Sequence, residues 1–249
     1  TSHNYSSYAP ILSMTSHTNF NDIPIPTWDD WTHISCIKHN KYFHKPILNK
    51  EHITNFCINW NDKKPIAIFR GSSTGKGTDK NTNIRIKLCS IKSDLLDAGI
   101  TNWNNRPRIS NINNKLILSS FNNKNKTKAP WLTPKQQSFY KYIIHVDGHC
   151  SAYRLTLELS MKSVLLIVDS DYHIWYKKKL IPYTHYIPVK KDLSNLITQI
   201  EWCINNDEKC KTIAESAYLF HQNNLQEENI FNYLSNCINH LNIKEYKTN

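Results

Sequence analysis

The chain has 249 residues, enough to bury a core as one large domain or two modest ones, and its formal net charge of +11 suggests an anionic partner. The lysines are scattered and no basic helix or aromatic-basic strand motif occurs, so no nucleic-acid partner is expected. The longest apolar run, Val164 to Val168, is too short to span a bilayer, and the seven cysteines form no CxxC pair or zinc spacing. These features exclude a membrane span in this chain and a zinc site built on cysteines.

The first 60 residues are rich in Asn, His, Ser and Trp, and DIPIPTWDDW (22 to 31) predicts an extended surface segment. From residue 64 the pattern changes to the apolar runs PIAIF (65 to 69), YKYIIHV (140 to 146), SVLLIV (163 to 168) and the weaker THYIPV (184 to 189). Continuous apolar runs predict a parallel sheet that is covered on both faces, hence an α/β fold.

The segments between these strands predict helices and one loop. Residues 83 to 99 predict a helix that ends at Gly99, and residues 103 to 130 predict a polar loop. The ambiguous segment 151 to 162 lies between two strands, which favours a crossover helix. The C-terminal third shows apolar stripes with a helical period.

The stretch FRGSSTGKGT (69 to 78) follows the first strand and suggests a phosphate-binding loop. It is not a Walker loop, because only three residues separate Gly71 from Gly75-Lys76 and Gly77 follows the lysine. What remains is a glycine-serine turn after Arg70, which fits either an anion site or a plain loop.

A second turn, in KYIIHVDGHCSAYR, places Asp147 and Gly148 at the end of a strand, with Ser151 opening a helix and Arg154 in its first turn. Free amides and a guanidinium within a few residues suit a diphosphate. The same pattern also describes an ordinary strand-turn-helix with a capping serine, and spacing alone leaves both open.

VLLIVDSDY (164 to 172) carries Asp169 and Asp171 after a strand, which is typical of manganese-binding nucleotide-sugar transferases but also of a simple polar turn. His185, within PYTHYIPV, has aromatic neighbours and a proline beside it, and by itself it is interpreted as a structural histidine.

The chain contains several long motifs in order: IFRGSSTGKG, YKYIIHVDGHCSAYR, SVLLIVDSDYHIWYKKKLIPYTHYIPVKKDLSNL and IEWCINNDE, with PILSMTSHTNFNDIPIPTWDDW ahead of them. Together they resemble glycosyltransferase family 90, the family of capsule-associated xylosyltransferases and Rumi-type protein O-glucosyltransferases. The similarity covers nearly the whole chain. It implies a GT-B-like architecture of Rossmann-type parallel sheets, with residues 64–249 as the nucleotide-sugar-binding domain and residues 1–63 as the remnant of an incomplete N-terminal, acceptor-side domain with an irregular linker.

The resemblance also implies transfer of glucose or xylose from UDP-glucose or UDP-xylose to a hydroxyl of a protein or glycan acceptor, with inversion. No metal or other cofactor is implied, which counts against the metal interpretation of the DSD turn. The residues carried over to the UDP-sugar site are Arg70, Gly71, Ser72, Ser73, Thr74, Asp147, Gly148, Ser151, Arg154 and His185. Rumi-type members have a second arginine where this chain has Ser73, which favours a capsule-type branch.

The catalytic base stays unknown at this point. The family's base lies in an Arg-Asp-Tyr/Phe-Pro-like segment, which the resemblance places upstream of Thr1. Asp22, Asp29 and Asp30 are nearby acids that do not match it, and Asp22 is the first substitute to test. The alternatives are a silent UDP-sugar-binding module and a metal-dependent DxD transferase; donor sugar, acceptor and compartment stay open.

Overall fold

The computed structural model describes residues 11–34, 58–112, 115–120 and 126–242. In that part of the chain the strands are β1 (Leu12–Ser13), β2 (Ser16–His17), β3 (Ile23–Pro24), β4 (Lys64–Ser72), β5 (Leu96–Asn102), β6 (Arg108–Ile112), β7 (Lys115–Ser119), β8 (Tyr140–His145), β9 (Val164–Val168), β10 (Tyr172–His173) and β11 (Ile187–Val189). The helices are α1 (Trp28–Ile34), α2 (Ile84–Ser90), α3 (Pro134–Gln137), α4 (Leu155–Leu159), α5 (Leu196–Asn205), α6 (Asp207–Asn224) and α7 (Glu227–Asn242). No helix in these described ranges has the length and apolar character that crossing a membrane requires.

The main sheet has five parallel strands in the order β11-β9-β8-β4-β5, which confirms the predicted α/β fold with a Rossmann-like sheet. Both faces of the sheet are covered. In β9, Val164, Leu166 and Val168 pack into one apolar cluster, whereas Leu165 and Ile167 pack into another on the opposite face. This double burial explains why the sequence of β9 is apolar without alternation.

Helices cover both faces of the sheet. The first cluster receives side chains from α2 and α5, and the second from α4 and α7. The long helix α6 contributes to both clusters, with Cys210 and Ile213 in the first and Ala217 and Phe220 in the second. The predicted helical C-terminal third is confirmed in the described residues.

The strand order contains a switch point between β4 and β8. The chain goes from β4 to one side, through α2 into β5, and then returns to the other side of β4 as β8. The helices that follow these two strands, α2 and α4, lie on opposite faces of the sheet. Ligands of open α/β sheets bind in the crevice that opens at such a point, outside the carboxyl ends of the strands.

Two predicted segments differ from the structure. The helix expected over 83–99 ends at Ser90 and is followed by β5, in which Gly99 pairs with Arg70. A Cβ at Gly99 would lie 2.3 Å from that of Ala129, so this glycine marks a close approach within a strand. The loop expected over 103–130 contains the antiparallel pair β6 and β7.

The segment 22–31 is not simply an extended surface stretch. Its second half begins α1, where the side chain of Asp30 accepts hydrogen bonds from the backbone and hydroxyl of Thr27. Asp30 also accepts from Thr156 and Trp175, both in the main body, and is fully buried. The described part of residues 1–63 is therefore packed onto the sheet and its helices.

Candidate active site at the switch point

The two glycine-containing turns predicted from the sequence meet at the carboxyl edge of the sheet. The turn after β4 contains Thr74, and the turn after β8 contains Gly148. A Cβ added to Gly148 would lie 2.5 Å from Oγ1 of Thr74, far closer than two such atoms approach. Glycine at 148 is therefore needed for this contact between the turns.

Arg85, which the sequence analysis did not select, joins these turns. From the first turn of α2, its Nη1 donates to the carbonyl of Ser72 at 3.1 Å and to the hydroxyl of Thr74 at 2.8 Å. Its Nη2 and Nε donate to the carbonyls of Val146 and Asp147, at 2.7 and 3.1 Å. The guanidinium thereby bridges the ends of β4 and β8.

Burial, together with the neighbouring Arg154, lowers the pKa of Arg85 to about 9. The side chain nevertheless keeps its proton at neutral pH, and its hydrogen bonds go to neutral oxygens. A buried cation of this kind is stabilised by an anion placed beside it. The sequence contained one signal that could have identified Arg85, namely an arginine between two isoleucines at a helix start.

Arg154 lies near Arg85, and both guanidinium groups are close to the Phe69 ring. The two guanidinium carbons are 5.3 Å and 5.8 Å from the centroid of this ring. Nη1 of Arg154 donates to the carbonyl of Arg70 at 2.6 Å, and its Nε is 2.8 Å from Oε1 of Glu158. The Arg154 side chain is 27% exposed, so part of its guanidinium faces the cleft.

Arg70 does not face the cleft in the same way. Its guanidinium forms an ion pair with Asp97 on β5, at 2.7 Å, and is 7% exposed. It also donates to the carbonyls of Phe69, Asp97 and Pro130. The side chain of Arg70 thus connects β4 to β5 and to the segment before α3, although the residue borders the cleft.

The turn residues after Arg70 have divided roles. The hydroxyl of Ser73 is fully buried and accepts the backbone N–H of Asn104, while that of Thr74 accepts from Arg85. Gly71 and Ser72 line the cleft. Of this predicted turn, two residues border the open space, and the side chains of Ser73 and Thr74 hold the loop in shape.

Asp147 organises the turn after β8. Its Oδ1 accepts the backbone N–H of Ala152 at 2.7 Å and is 3.6 Å from Nε2 of His145. Although burial opposes ionisation, the neighbouring His145 holds the pKa of Asp147 below its usual range. A carboxylate cannot donate to a phosphate, so the geometry favours Asp147 as a support for the loop and not as a diphosphate ligand.

Ser151 does not begin a helix, because α4 starts four residues later, at Leu155. The Ser151 hydroxyl is buried and has no hydrogen-bond partner among the described residues. It remains a donor available to a ligand or to water at this turn.

Two cavities open at this edge, with different linings. The larger has a volume of about 710 Å³ and is lined by Arg70, Gly71, Ser72, Arg85, Tyr153, Arg154 and Glu158, with Asp29 and Trp131 among others at its sides. The smaller, of about 200 Å³, is lined by residues that include Gly75, Lys76, Asp147, Gly148, Asp169, Asp171 and Lys191. Pockets for small ligands span about 300 to 1,000 Å³, so the larger cavity has the size for a nucleotide sugar.

His185 lies elsewhere. It precedes β11, which runs parallel to β9, and so it belongs to the amino edge of the sheet and not to the carboxyl edge where the cavities open. Its Nδ1 accepts the backbone N–H of Ile181 at 2.9 Å, and its ring packs on Phe220. His185 therefore lines neither of the two cavities, and its predicted place on the wall of the donor site stays a prediction.

The two acids of the DSD turn, Asp169 and Asp171, have partners within the protein. Asp171 is ion-paired with Lys191, and the Asp169 carboxylate accepts the N–H of Ser170. Within the described ranges no group of three or more His, Cys, Asp or Glu side chains could hold a metal ion. That the transfer needs no metal stays a prediction.

The acids that were considered as the base differ in position. Asp30 is buried in the hydrogen-bond network described above and cannot reach an acceptor. Asp29 is exposed and lines the large cavity. Asp29, not Asp22, is therefore the better-placed acid in the described part of the chain.

Comparison with known proteins agrees with this architecture. The sequence model of the family described as Glycosyl transferase family 90 matches residues 1–246. The chain is 43% identical over 239 residues to "Uncharacterized protein 035R" of Invertebrate iridescent virus 3, covering 94% of this chain and 21% of that protein.

Two human relatives carry a named activity. The chain is 29% identical to Protein O-glucosyltransferase 3 of Homo sapiens, over 90% of this chain and 40% of the relative. It is 26% identical to Protein O-glucosyltransferase 1, over 92% of this chain and 56% of the relative. Both names specify glucose, whereas Ser73 alone favoured the capsule-type branch. The match over residues 1–246 shows that the chain belongs to glycosyltransferase family 90.

Proposed function

We propose that this chain binds a UDP-sugar in the large cavity and takes part in inverting, metal-independent transfer of glucose or xylose to a hydroxyl of a protein or glycan acceptor. The chain spans about a fifth of the viral relative and less than two thirds of the human ones, so the activity of the whole protein is part of this proposal. The names of the human relatives make UDP-glucose the first donor to test.

The observation that carries the proposal is a pair of neighbouring arginines at the switch point whose nearby carboxylates, Asp147 and Glu158, are both shared with His145. Arg85 is buried among carbonyls and a hydroxyl, and Arg154 has one carboxylate neighbour, Glu158, which it shares with His145. Both arginines line the same cavity. A diphosphate placed there would supply negative charge and accept hydrogen bonds from Arg154.

These residues would act on the leaving group. In an inverting transfer the acceptor oxygen forms a bond to C1 of the sugar while the bond from C1 to the phosphate oxygen breaks, and UDP leaves with an additional negative charge. Cations already held in place stabilise that charge without reorganisation. Arg154 would contact the diphosphate, and Arg85 would add positive potential from behind the two turns.

The acceptor must lose its hydroxyl proton to a base. Asp29 borders the same cavity as the arginines and is our candidate within the described residues. Trp131, 54% exposed at this cavity, offers a flat apolar surface for a sugar or peptide. If no residue of this chain removes the proton, the chain is a UDP-sugar-binding module, which is the second candidate function.

Calorimetric titration tests the proposal. UDP-glucose and UDP-xylose are titrated into the protein in EDTA and again with Mn²⁺, with GDP-mannose as the control nucleotide sugar. We expect binding of a UDP-sugar in EDTA that is at least about tenfold weaker in Arg154→Ala, the loss of one charge-assisted contact. Binding only with Mn²⁺, or none at all, would contradict it. Release of UDP that depends on an acceptor then separates a transferase from a binding module.

A further inference from the structure

A line of four charged side chains runs beneath the cleft. Nδ1 of His145 is 2.6 Å from Oε2 of Glu158, and the other carboxylate oxygen of Glu158 is 2.8 Å from Nε of Arg154. At the other end, Nε2 of His145 is 3.6 Å from Asp147. His145 and Glu158 are 4% and 2% exposed, so this pair is closed off from water.

Neither residue of this pair is assigned a contact with the donor in the proposed function. Each is a polar residue within an apolar segment, His145 at the end of the strand YKYIIH and Glu158 within the helix LTLEL. Burying two ionisable groups in such segments costs desolvation free energy. Their contacts connect them to Arg154 through Glu158.

We propose that His145 and Glu158 are positioning residues that set how firmly Arg154 is held, and thereby how available its guanidinium is to the donor diphosphate. This inference rests on the proposed function of Arg154. Glu158 is shared between two cations. With His145 protonated, the carboxylate has a second partner and holds Arg154 less strongly, which leaves the guanidinium free to turn to the ligand.

Loss of the proton from His145 changes two things in the same direction. Glu158 then has Arg154 as its remaining ion-pair partner along this line, so the carboxylate competes more strongly with the diphosphate. The potential beneath the cleft also becomes less positive by one unit charge. Both effects weaken donor binding.

The charged groups around His145 support a protonated state. Burial favours the neutral imidazole, but Glu158 and Asp147 together raise the pKa of His145 above its ordinary value. Among the described residues, the other charged or titratable groups near these two carboxylates include Arg85, Arg154 and, close to Asp147, Lys177 and His173. Because the pKa of His145 is raised, its proton is present below about pH 6.5 and is lost as the pH rises through the higher value.

The test measures the affinity for UDP-glucose between pH 6 and 8.5. UDP-glucose is the right probe because both its phosphates are diesters and keep their charge over this range, whereas the terminal phosphate of UDP titrates near pH 6, as a phosphate monoester does. We expect the parent to bind about fivefold or more weakly at the upper end, the scale of a typical coupling between two sites. An affinity that does not change with pH would overturn the proposal.

Two substitutions should have opposite effects. His145→Gln keeps a hydrogen-bond donor for Glu158 but cannot carry the charge, so it should bind at the weak level at every pH. Glu158→Gln removes the competitor for Arg154, so it should bind at least as tightly as the parent and lose the pH dependence in this range. His240→Gln, at an exposed position on α7, is the matched control and should titrate like the parent. A purely structural role would weaken both variants and leave their pH profiles parallel to that of the parent.

A measurement without ligand distinguishes failure of this inference from failure of the proposed function. NMR titration of the histidine rings, with His145 assigned by its absence in His145→Gln, should show a raised pKa that falls in Glu158→Gln. Absence of UDP-glucose binding by the parent would refute the donor site and this inference with it. Binding without pH dependence, or an unshifted His145, would refute the inference alone.

Discussion

Arg70 and Arg154 border the same cavity, yet their truncation should have different consequences. Arg70→Ala removes a side chain that joins β4 to β5 through Asp97, whereas Arg154→Ala removes a guanidinium that is partly open to the cleft. We therefore expect Arg70→Ala to lower mainly the free energy of unfolding and Arg154→Ala to lower mainly the affinity for the UDP-sugar.

The contacts set the magnitudes. Arg70 donates to one carboxylate and three carbonyls at 7% exposure, and Asp97, at 42% exposure, recovers part of its hydration when the pair is lost. We expect a loss of about 2 to 4 kcal/mol in stability, below the upper range for breaking a buried pair. For Arg154→Ala one charge-assisted contact to the diphosphate is lost, about 1.5 to 3 kcal/mol or roughly 10- to 150-fold in affinity.

Urea unfolding followed by tryptophan fluorescence measures the first quantity, and calorimetric titration with UDP-glucose measures the second. Arg106→Ala, at an exposed arginine near the same edge, is the control for removing a positive charge. The reasoning is refuted if Arg70→Ala unfolds like the parent but loses as much affinity as Arg154→Ala. That result would mean that Arg70 leaves Asp97 to bind the diphosphate.

Chelator should leave UDP-glucose affinity unchanged, since the arginines already balance the diphosphate and Asp171 has a lysine partner; a manganese requirement in titrations would oppose this. Asp29→Asn should reduce acceptor-dependent transfer by about 10²-fold or more while UDP-glucose still binds, whereas Asp22→Asn should have little effect on transfer. If a UDP-release assay shows a large loss in Asp22→Asn and little loss in Asp29→Asn, Asp29 is not the base. Gly148→Ala should cost about 1 to 3 kcal/mol in urea unfolding because its Cβ meets Thr74, and an unchanged midpoint would show that the turns separate freely.

Much of the fold could be predicted from local pattern. The apolar runs of β4, β8 and β9 have residues buried on both faces, and this burial leaves a continuous signal that needs no knowledge of the partner strands. The strand β5 was missed because Gly99 and Asn102 resemble a helix end and a loop, and its strand character depends on pairing with β4.

The candidate site was predicted only in part, for the same reason. That the turns after β4 and β8 lie at one edge follows from two parallel strands, and their motifs resemble those of the family. Ser72, Gly71 and Arg154 border the large cavity as expected, but His185 lies at the other edge, because it precedes its strand instead of following it.

By itself, the sequence determined the parallel sheet, the turns at its carboxyl edge and the resemblance to the family, since each is written in residues that are close along the chain. Only the tertiary structure decided which arginines are available. The register of β5 against β4 brings Asp97 beside Arg70 and occupies it, while Arg85, from a different element, reaches both turns. Arg70 and Asp97 are 27 positions apart in the sequence, and Arg85 and Asp147 are 62 positions apart. Contacts over such separations leave no local pattern in the sequence.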